Sequence, residues 1–226
     1  RMTLTTKGKK HDTFPHQLIL TATPIPRTLA MSLYGNLEYS AINEMPKGRQ
    51  DIDTIAISED RRSEVLEKIS SKCKDGSQVY WVCPLINESE VLECKAATNT
   101  YKELQSKLKN INIGLIHGRM KMAEKEEVMS NFRNKKIDVL VSTTIIEVGL
   151  DVPNATVIII ENSERMGLSQ LHQLRGRVGR GNKKSSCILI FKSGLSELAR
   201  KRIDILRKCS NGFDIAKEDL DLRGPG

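Results

Sequence analysis

The stretch "KIDVLVSTTIIEVGLDVPNATVIIIEN", residues 136–162, sets two short β-branched runs on either side of a segment that holds Gly149, Asp151 and Pro153. The runs "DVLVST" and "TVIIIEN" are too short for helices and are apolar at consecutive rather than alternate positions. Each therefore predicts a strand covered on both faces. Working outward, "IDTIAI" (52–57), "QVYWVCPLI" (78–86), "IGLIHG" (113–118) and "SCILIF" (186–191) repeat the pattern, and "QLIL" (17–20) leads into "TATP".

The segments between these runs have helical periodicity. Val65, Leu66, Ile69 and Cys73 share a stripe in "RRSEVLEKISSKC"; Tyr101, Leu104 and Leu108 share one in "TYKELQSKLK"; Met122, Met129 and Phe132 share one in "MAEKEEVMSNFRNKK". "GLSELARKRIDILRKCSNG" (194–212) reads as a helix ended by Asn211-Gly212. Its stripe is Leu195, Leu198, Ile205 and Leu206, with Arg200, Lys201, Arg207 and Lys208 opposite. Strands that alternate with helices call for a parallel sheet in a three-layer α/β arrangement, joined by right-handed crossovers.

Length and composition bound the function classes. A chain of 226 residues, 38% hydrophobic, buries one substantial core and part of a second. No apolar run approaches the roughly 18–20 residues of a membrane span, and the start "RMTLTTKGKKHD" has no apolar signal region, so a soluble, unexported protein is expected. Five cysteines, at 73, 83, 94, 187 and 209, include no C-x-x-C pair, which argues against a disulfide framework or structural zinc and for a reducing cytoplasm. The formal charge of +8 is segregated: residues 1–50 carry 7 basic and 3 acidic groups, 51–162 carry 15 and 18, and 163–226 carry 14 and 7. A surplus held at both ends fits a polyanion met by particular surfaces, although a solvated basic face has the same composition.

In a sheet of this type functional groups sit on loops beyond the strands' carboxyl ends. Those loops read "TATPIPR", "CPLINES", "HGRM", "STTIIEVGLDVPN" and "ENSERMG", the last running into "QLHQLRGRVGRG" (170–181). Hydroxyls, glycines and arginines are the groups that grip phosphates. Thr143 and Thr144 can offer hydroxyls at a strand terminus, or one of them can cap a helix whose first turn holds Glu147; both readings stand. In "QLHQLRGRVGRG", helical spacing puts Leu171, Leu174 and Val178 on a buried face and Gln173, Arg177 and Arg180 on another. Gly176 and Gly179 leave room for a phosphate chain, at a cost of about 1 kcal/mol each in helix propensity, whereas a surface salt-bridge helix is the plainer alternative.

These residues carry a family resemblance. "QLHQLRGRVGR" resembles the arginine motif Q-x-x-G-R-x-G-R of superfamily 2 helicases, "TTIIEVGLDVP" their T-x-G-x-D motif, and "TATP" their S/T-A-T motif, in the family's order. "LTATPIPRTLAMSLYGNLEYSAINEMPKGR", "HGRMKMAEKEEVMSNF" and "ENSERMGLSQLHQLRGRVGRG" are similar to the RecG family of bacterial branched-DNA helicases. "GFDIAKEDLDLRGPG" resembles the start of the translocation motif that this family shares with transcription-repair coupling translocases.

The resemblance implies a RecA-like fold and a division into four parts. Residues 1–45 would end a first motor domain, 46–52 form a linker that includes most of "MPKGRQD", 53–193 form the second motor domain, and 194–226 begin a helical translocation motif. It implies ATP with Mg2+, bound mainly by a first motor domain that supplies the P-loop and D-E-x-x motifs, neither of which is present in these residues. By itself the chain is then expected not to hydrolyse ATP. Arg177 and Arg180 would stabilise charge on the γ-phosphate, with Gln173, Gly149 and Asp151 lining the nucleotide cleft. Thr143, Thr144, His117, Gly118, Arg119 and Arg27 would face DNA, and Thr21 and Thr23 would relay between the two sites. The implied partners are branched or forked duplex DNA and the first RecA-like and wedge domains of the same protein, with no membrane. The implied location is the bacterial cytoplasm, at the nucleoid. Two other readings remain: a transcription-repair coupling translocase, and a nucleic-acid-binding module that works without ATP.

Overall fold

A computed structural model describes residues 51–84, 90–143 and 152–223, together with positions 18, 20, 40, 42 and 44. The described chain runs β1 (Ile52–Ser58), α1 (Arg62–Lys74), β2 (Gln78–Val82), α2 (Glu90–Lys107), β3 (Ile113–Ile116), α3 (Met122–Arg133), β4 (Val139–Ser142), β5 (Ala155–Ile160), α4 (Leu168–Arg175), β6 (Ser185–Phe191), α5 (Glu197–Lys208) and α6 (Gly212–Arg223). Short 3-10 turns, Glu59–Arg61 and Ser163–Arg165, precede α1 and α4. The six strands form one sheet in the order β1-β6-β5-β2-β4-β3, every neighbouring pair parallel. The expected three-layer α/β architecture is what the chain adopts.

Burial follows the pleat. Every residue of β2, β4 and β5 is buried, whereas the edge strands β1 and β3 are only partly so. One face of the sheet presents Tyr80, Leu140, Ile158, Ile160 and Leu189 to Phe132, Leu171, Leu174, Ile203 and Ile215 from α3, α4, α5 and α6. The other presents Val79, Trp81, Val141, Ile159 and Ile188 to Val65, Leu66, Ile69, Leu104 and Leu108 on the side of α1 and α2. Consecutive strand residues serve opposite cores, which is why the central runs are apolar at consecutive positions. Crossovers leave β2 toward β3 and β5 toward β6, in opposite directions, so the topological switch point lies between the adjacent strands β2 and β5.

Three expectations are corrected here. Met122 is 63% exposed although Met129 and Phe132 are buried, because as the first residue of α3 it projects past the core. The 194–212 segment is not one helix: α5 ends at Lys208, and the Asn211 side chain accepts a 2.9 Å hydrogen bond from the Phe213 N–H, starting α6 instead of ending α5. The buried stripe of α5 is Ala199, Ile203 and Leu206, while Leu198 is 47% exposed. Third, α4 stops at Arg175, with Gly176 as its C-cap, so Arg177 and Arg180 stand on a turn and not on a helix face. Leu171, Leu174 and Val178 are buried as expected.

Phe132 is fully buried and its ring centroid lies 5.0 Å from that of Tyr80. Phe132→Ala is expected to cost about 3–5 kcal/mol, read as a lowered denaturation midpoint at unchanged slope. Burial pushes the Cys73 and Cys187 thiols up to about 12, aided at Cys73 by Asp138, and burial together with Glu161 raises that of Cys83. At pH 8 these three thiols are protonated and enclosed, whereas Cys94 and Cys209 are only half-buried. A thiol reagent is expected to label two cysteines of the folded chain quickly and the other three only on unfolding.

Candidate nucleotide and nucleic-acid site

Because α4 follows β5 and runs back against the strands, its C-terminal turn reaches the amino edge of the sheet, where β6 begins at Ser185. The arginine stretch therefore does not end among the carboxyl-end loops. The chain turns after Leu174 through backbone bonds from Arg177 N–H to Leu174 O (2.9 Å) and from Val178 N–H to Arg175 O (3.3 Å). Gly179 adopts φ +75°, a left-handed conformation that disfavours other residues. A Cβ at Gly181 would stand 2.7 Å from the carbonyl oxygen of Pro153, so the turn lies directly against the segment entering β5. A Cβ at Gly176 would meet nothing closer than 3.4 Å. Left-handed geometry and close backbone approach thus account for two of these glycines.

Gln173 is exposed on α4, Arg177 is half-buried, and Arg180 is exposed, its Nε donating to the Gly176 carbonyl at 3.2 Å. Gly149 and Asp151, expected to line the same cleft, lie outside the described residues, as do Thr144, Arg27, Thr21 and Thr23. The described neighbour of Asp151 is Val152, buried in the same apolar cluster as Val178.

The residues expected on the DNA side gather at the opposite, carboxyl edge. Gly118 and Arg119 are exposed just after β3, and the Lys125 ammonium donates to the Gly118 carbonyl at 2.7 Å, fixing that loop on α3. His117 is half-buried, with an Nδ1 that is enclosed and has no hydrogen-bond partner among the described residues. Thr143 follows β4 directly; its backbone N–H donates to Ile116 O at 3.3 Å and its hydroxyl is buried, not presented to solvent.

Sequence reasoning missed a charged cluster at the switch point. Glu161, the first residue after β5, accepts from Arg62 of α1 at 2.7 Å, and Arg62 also pairs with Glu103 of α2. Thr100 Oγ1 (3.4 Å) and Cys83 Sγ (3.6 Å) donate to the other Glu161 oxygen, and the guanidinium lies 5.0 Å from the centroid of the Trp81 ring. Burial opposes the charge on Arg62, but Glu161 and Glu103 outweigh it and hold the guanidinium pKa above its usual value. Glu103 is likewise held below the usual carboxylate range, its burial being outweighed by hydrogen bonds from Lys107 and Arg62. The available signal was a carboxylate directly following the aliphatic run Val157–Ile160 of a fully buried strand.

A second missed set ties α4 to α5. Arg202 donates from Nη1 to Met166 O (2.9 Å) and from Nη2 to Glu164 O (3.3 Å), just before α4 begins. Arg175, at the other end of α4, reaches the last turn of α5. Ser169 donates to Asp219 of α6 at 3.1 Å. A separate groove of about 450 Å³, floored by Ala56, Phe191 and Ile203 and rimmed by Arg200 and Arg207, contains none of the expected site residues.

Comparison with known proteins gives this geometry a context. Residues 60–182 match the helicase conserved C-terminal domain. The whole chain is 55% identical to the ATP-dependent DNA helicase RecG of Pasteurella multocida and 53% identical to that of Escherichia coli K12, spanning 33% of the length of each. Among solved structures, RecG bound to a three-way DNA junction superposes with a TM-score of 0.77 at 44% identity, over 91% of this chain and 27% of that one. Saccharomyces cerevisiae Dbp5 bound to RNA and ADP BeF3 shares the fold alone, at 14% identity and a TM-score of 0.59, over 88% of this chain and 52% of that one. Among the described residues no helix is long and apolar enough to cross a membrane. The arginine turn and all the described strands but β1 and β6 fall wholly within the matched residues, and the chain belongs to the helicase conserved C-terminal domain family.

Proposed function

We propose that this chain is the second RecA-like motor lobe of an ATP-dependent DNA helicase that remodels branched or forked duplex DNA in repair and recombination. In this reading residues 1–45 end the first lobe, 46–52 link the two, 53–193 form the second lobe and 194–226 begin a translocation element. The observation that carries the reading is likeness over 91% of the chain, 44% identity at a TM-score of 0.77, to RecG bound to a three-way DNA junction.

The arrangement of charge is consistent with it. ATP with Mg2+ is held mainly by the first lobe; this lobe offers Arg177 and Arg180 from the amino edge, beside Pro153, and Gly149 and Asp151 contact the same nucleotide. Guanidinium groups suit that task because their charge is permanent and their donors are held in a fixed plane. Arginines that meet a transferring phosphoryl group raise its rate by about 10³–10⁵. In this reading Gln173, exposed four residues before Arg177, contacts the nucleotide. Arg119 and Gly118 meet the DNA backbone at the opposite edge, with His117 behind them; Thr143 and Thr144 also hold the DNA backbone, and Arg27 adds a DNA contact. Thr21 and Thr23 relay between the sites. Closure on ATP and release after hydrolysis alternate the spacing of two DNA grips, which moves the motor along the duplex.

In the full-length protein, Arg180→Ala is expected to lower DNA-stimulated ATP turnover by about 10³ or more while leaving the forked-DNA Kd within about twofold. Wild-type turnover in that variant overturns the role. Fork binding is also expected to weaken steeply as salt rises, because each phosphate contact releases counterions. A flat salt response contradicts a grip on the DNA backbone.

A further inference from the structure

Arg175 is the last residue of α4, is 4% exposed, and is not one of the fixed letters of the arginine motif. Its Nη1 donates to the main-chain oxygens of Leu206 (2.6 Å) and Cys209 (2.9 Å), and its Nη2 to that of Ser210 (3.4 Å). Nη2 also lies 2.9 Å from His172 Nδ1, one turn back on α4. Leu206 belongs to the last turn of α5, where carbonyls have no partner within the helix, and Cys209 and Ser210 form the connection to α6. A single side chain thus reads three carbonyls of the α5–α6 junction.

Neutralising the negative end of α5 does not require this reach, because α5 has Arg207 and Lys208 in its own last turn. An apolar residue at 175 would avoid the cost of desolvating a cation between helices. What a guanidinium adds is geometry: a rigid planar fork whose donors reach several acceptors at once, which neither a methyl group nor an ammonium reproduces. The next residue, Gly176, opens the turn that bears Arg177 and Arg180, and its carbonyl accepts from Arg180 Nε at 3.2 Å. The residue whose carbonyl holds Arg180 is therefore the one that directly follows the residue anchored on the junction.

The geometry points to Arg175 as a positioning residue for the arginine pair: it fixes the Gly176–Gly181 turn from behind, so that the α5–α6 junction sets the pose in which Arg177 and Arg180 meet a phosphate. This inference rests on the proposed function and adds to it a residue and a direction of control.

The test uses the full-length helicase. Arg175→Lys keeps the charge and loses the fork. It is expected to lower kcat for DNA-stimulated ATP hydrolysis about tenfold, with KM for ATP and the junction Kd within about twofold. Combined with Arg180→Lys, it is expected to cause clearly less than the product of the two single losses, since both act through the same arginine pair; a merely structural role gives losses that multiply. A second variant leaves α4 untouched: two glycines inserted between Cys209 and Ser210 slacken the junction at a connection where Ser210 is exposed, and the same fall in kcat at unchanged KM is expected. Wild-type kcat in either variant, or multiplying losses, overturns the inference. Wild-type turnover in Arg180→Ala sinks the proposed function itself, whereas an inactive Arg180→Ala beside an unaffected Arg175→Lys sinks only this step.

Discussion

Two-sided burial of a parallel sheet governs where every other group in the described chain stands. Parallel neighbours cannot be joined by tight turns, so each connection must cross back along the sheet, and a helix that makes the crossing runs against the strands. A residue at the N-terminus of such a helix lies near the carboxyl edge of the sheet; one at its C-terminus lies near the amino edge. Helix α4 starts close to Glu161 and the switch point and delivers Arg177 and Arg180 to the other end of the sheet, against Pro153. The two edges are thereby given different groups: hydroxyls, His117 and Arg119 at one, the arginine turn at the other.

Charge is used sparingly inside this framework, and the buried guanidinium groups of Arg62 and Arg175 each meet several acceptors. Arg62 has two carboxylates and an aromatic face, which together offset the loss of water around a side chain only 16% exposed. The cluster binds α1 and α2 to the end of β5, so the layer on that face is fixed at the carboxyl edge by ions as well as by its apolar core. On the opposite face the corresponding ties are arginine to carbonyl, made by Arg202 to the segment before α4 and by Arg175 from the last residue of α4. Main-chain acceptors hold the backbone itself, so these contacts fix helix ends rather than side chains.

Fold class was legible in the sequence because double burial leaves unbroken apolar runs, and "TVIIIEN" and "QVYWV" are strands for that reason. The helix faces were legible where four positions repeat, as at Val65, Leu66, Ile69 and Cys73. Helix ends were less so. Asn211-Gly212 fits both a stop and a start, and only the acceptor on Asn211 decides between them. The arginine pair was found through its motif, but its place in the fold was misjudged, since spacing alone does not show that the helix ends at Arg175. Glu161, Arg62, Arg175 and Arg202 escaped notice because their partners lie far off in the chain: 99 positions separate Arg62 from Glu161 and 31 separate Arg175 from Leu206.

These ties restrict how the arginine turn can move. The apolar face of α4 is committed to the sheet through Leu168, Leu171 and Leu174; Arg202 holds the segment before it, and Arg175 its last turn. Bending α4 would break buried hydrogen bonds at one end or open a packed core along its length, and each is costly. Gly181 leaves little slack either, because it already touches Pro153. What remains is rotation of the arginine side chains and displacement of the lobe as a body. On the proposed function, Arg177 and Arg180 would meet or leave a phosphate over any large distance only by the second route, so that breaking and remaking the contact would become motion of the whole sheet, which also carries Gly118 and Arg119 at its far edge.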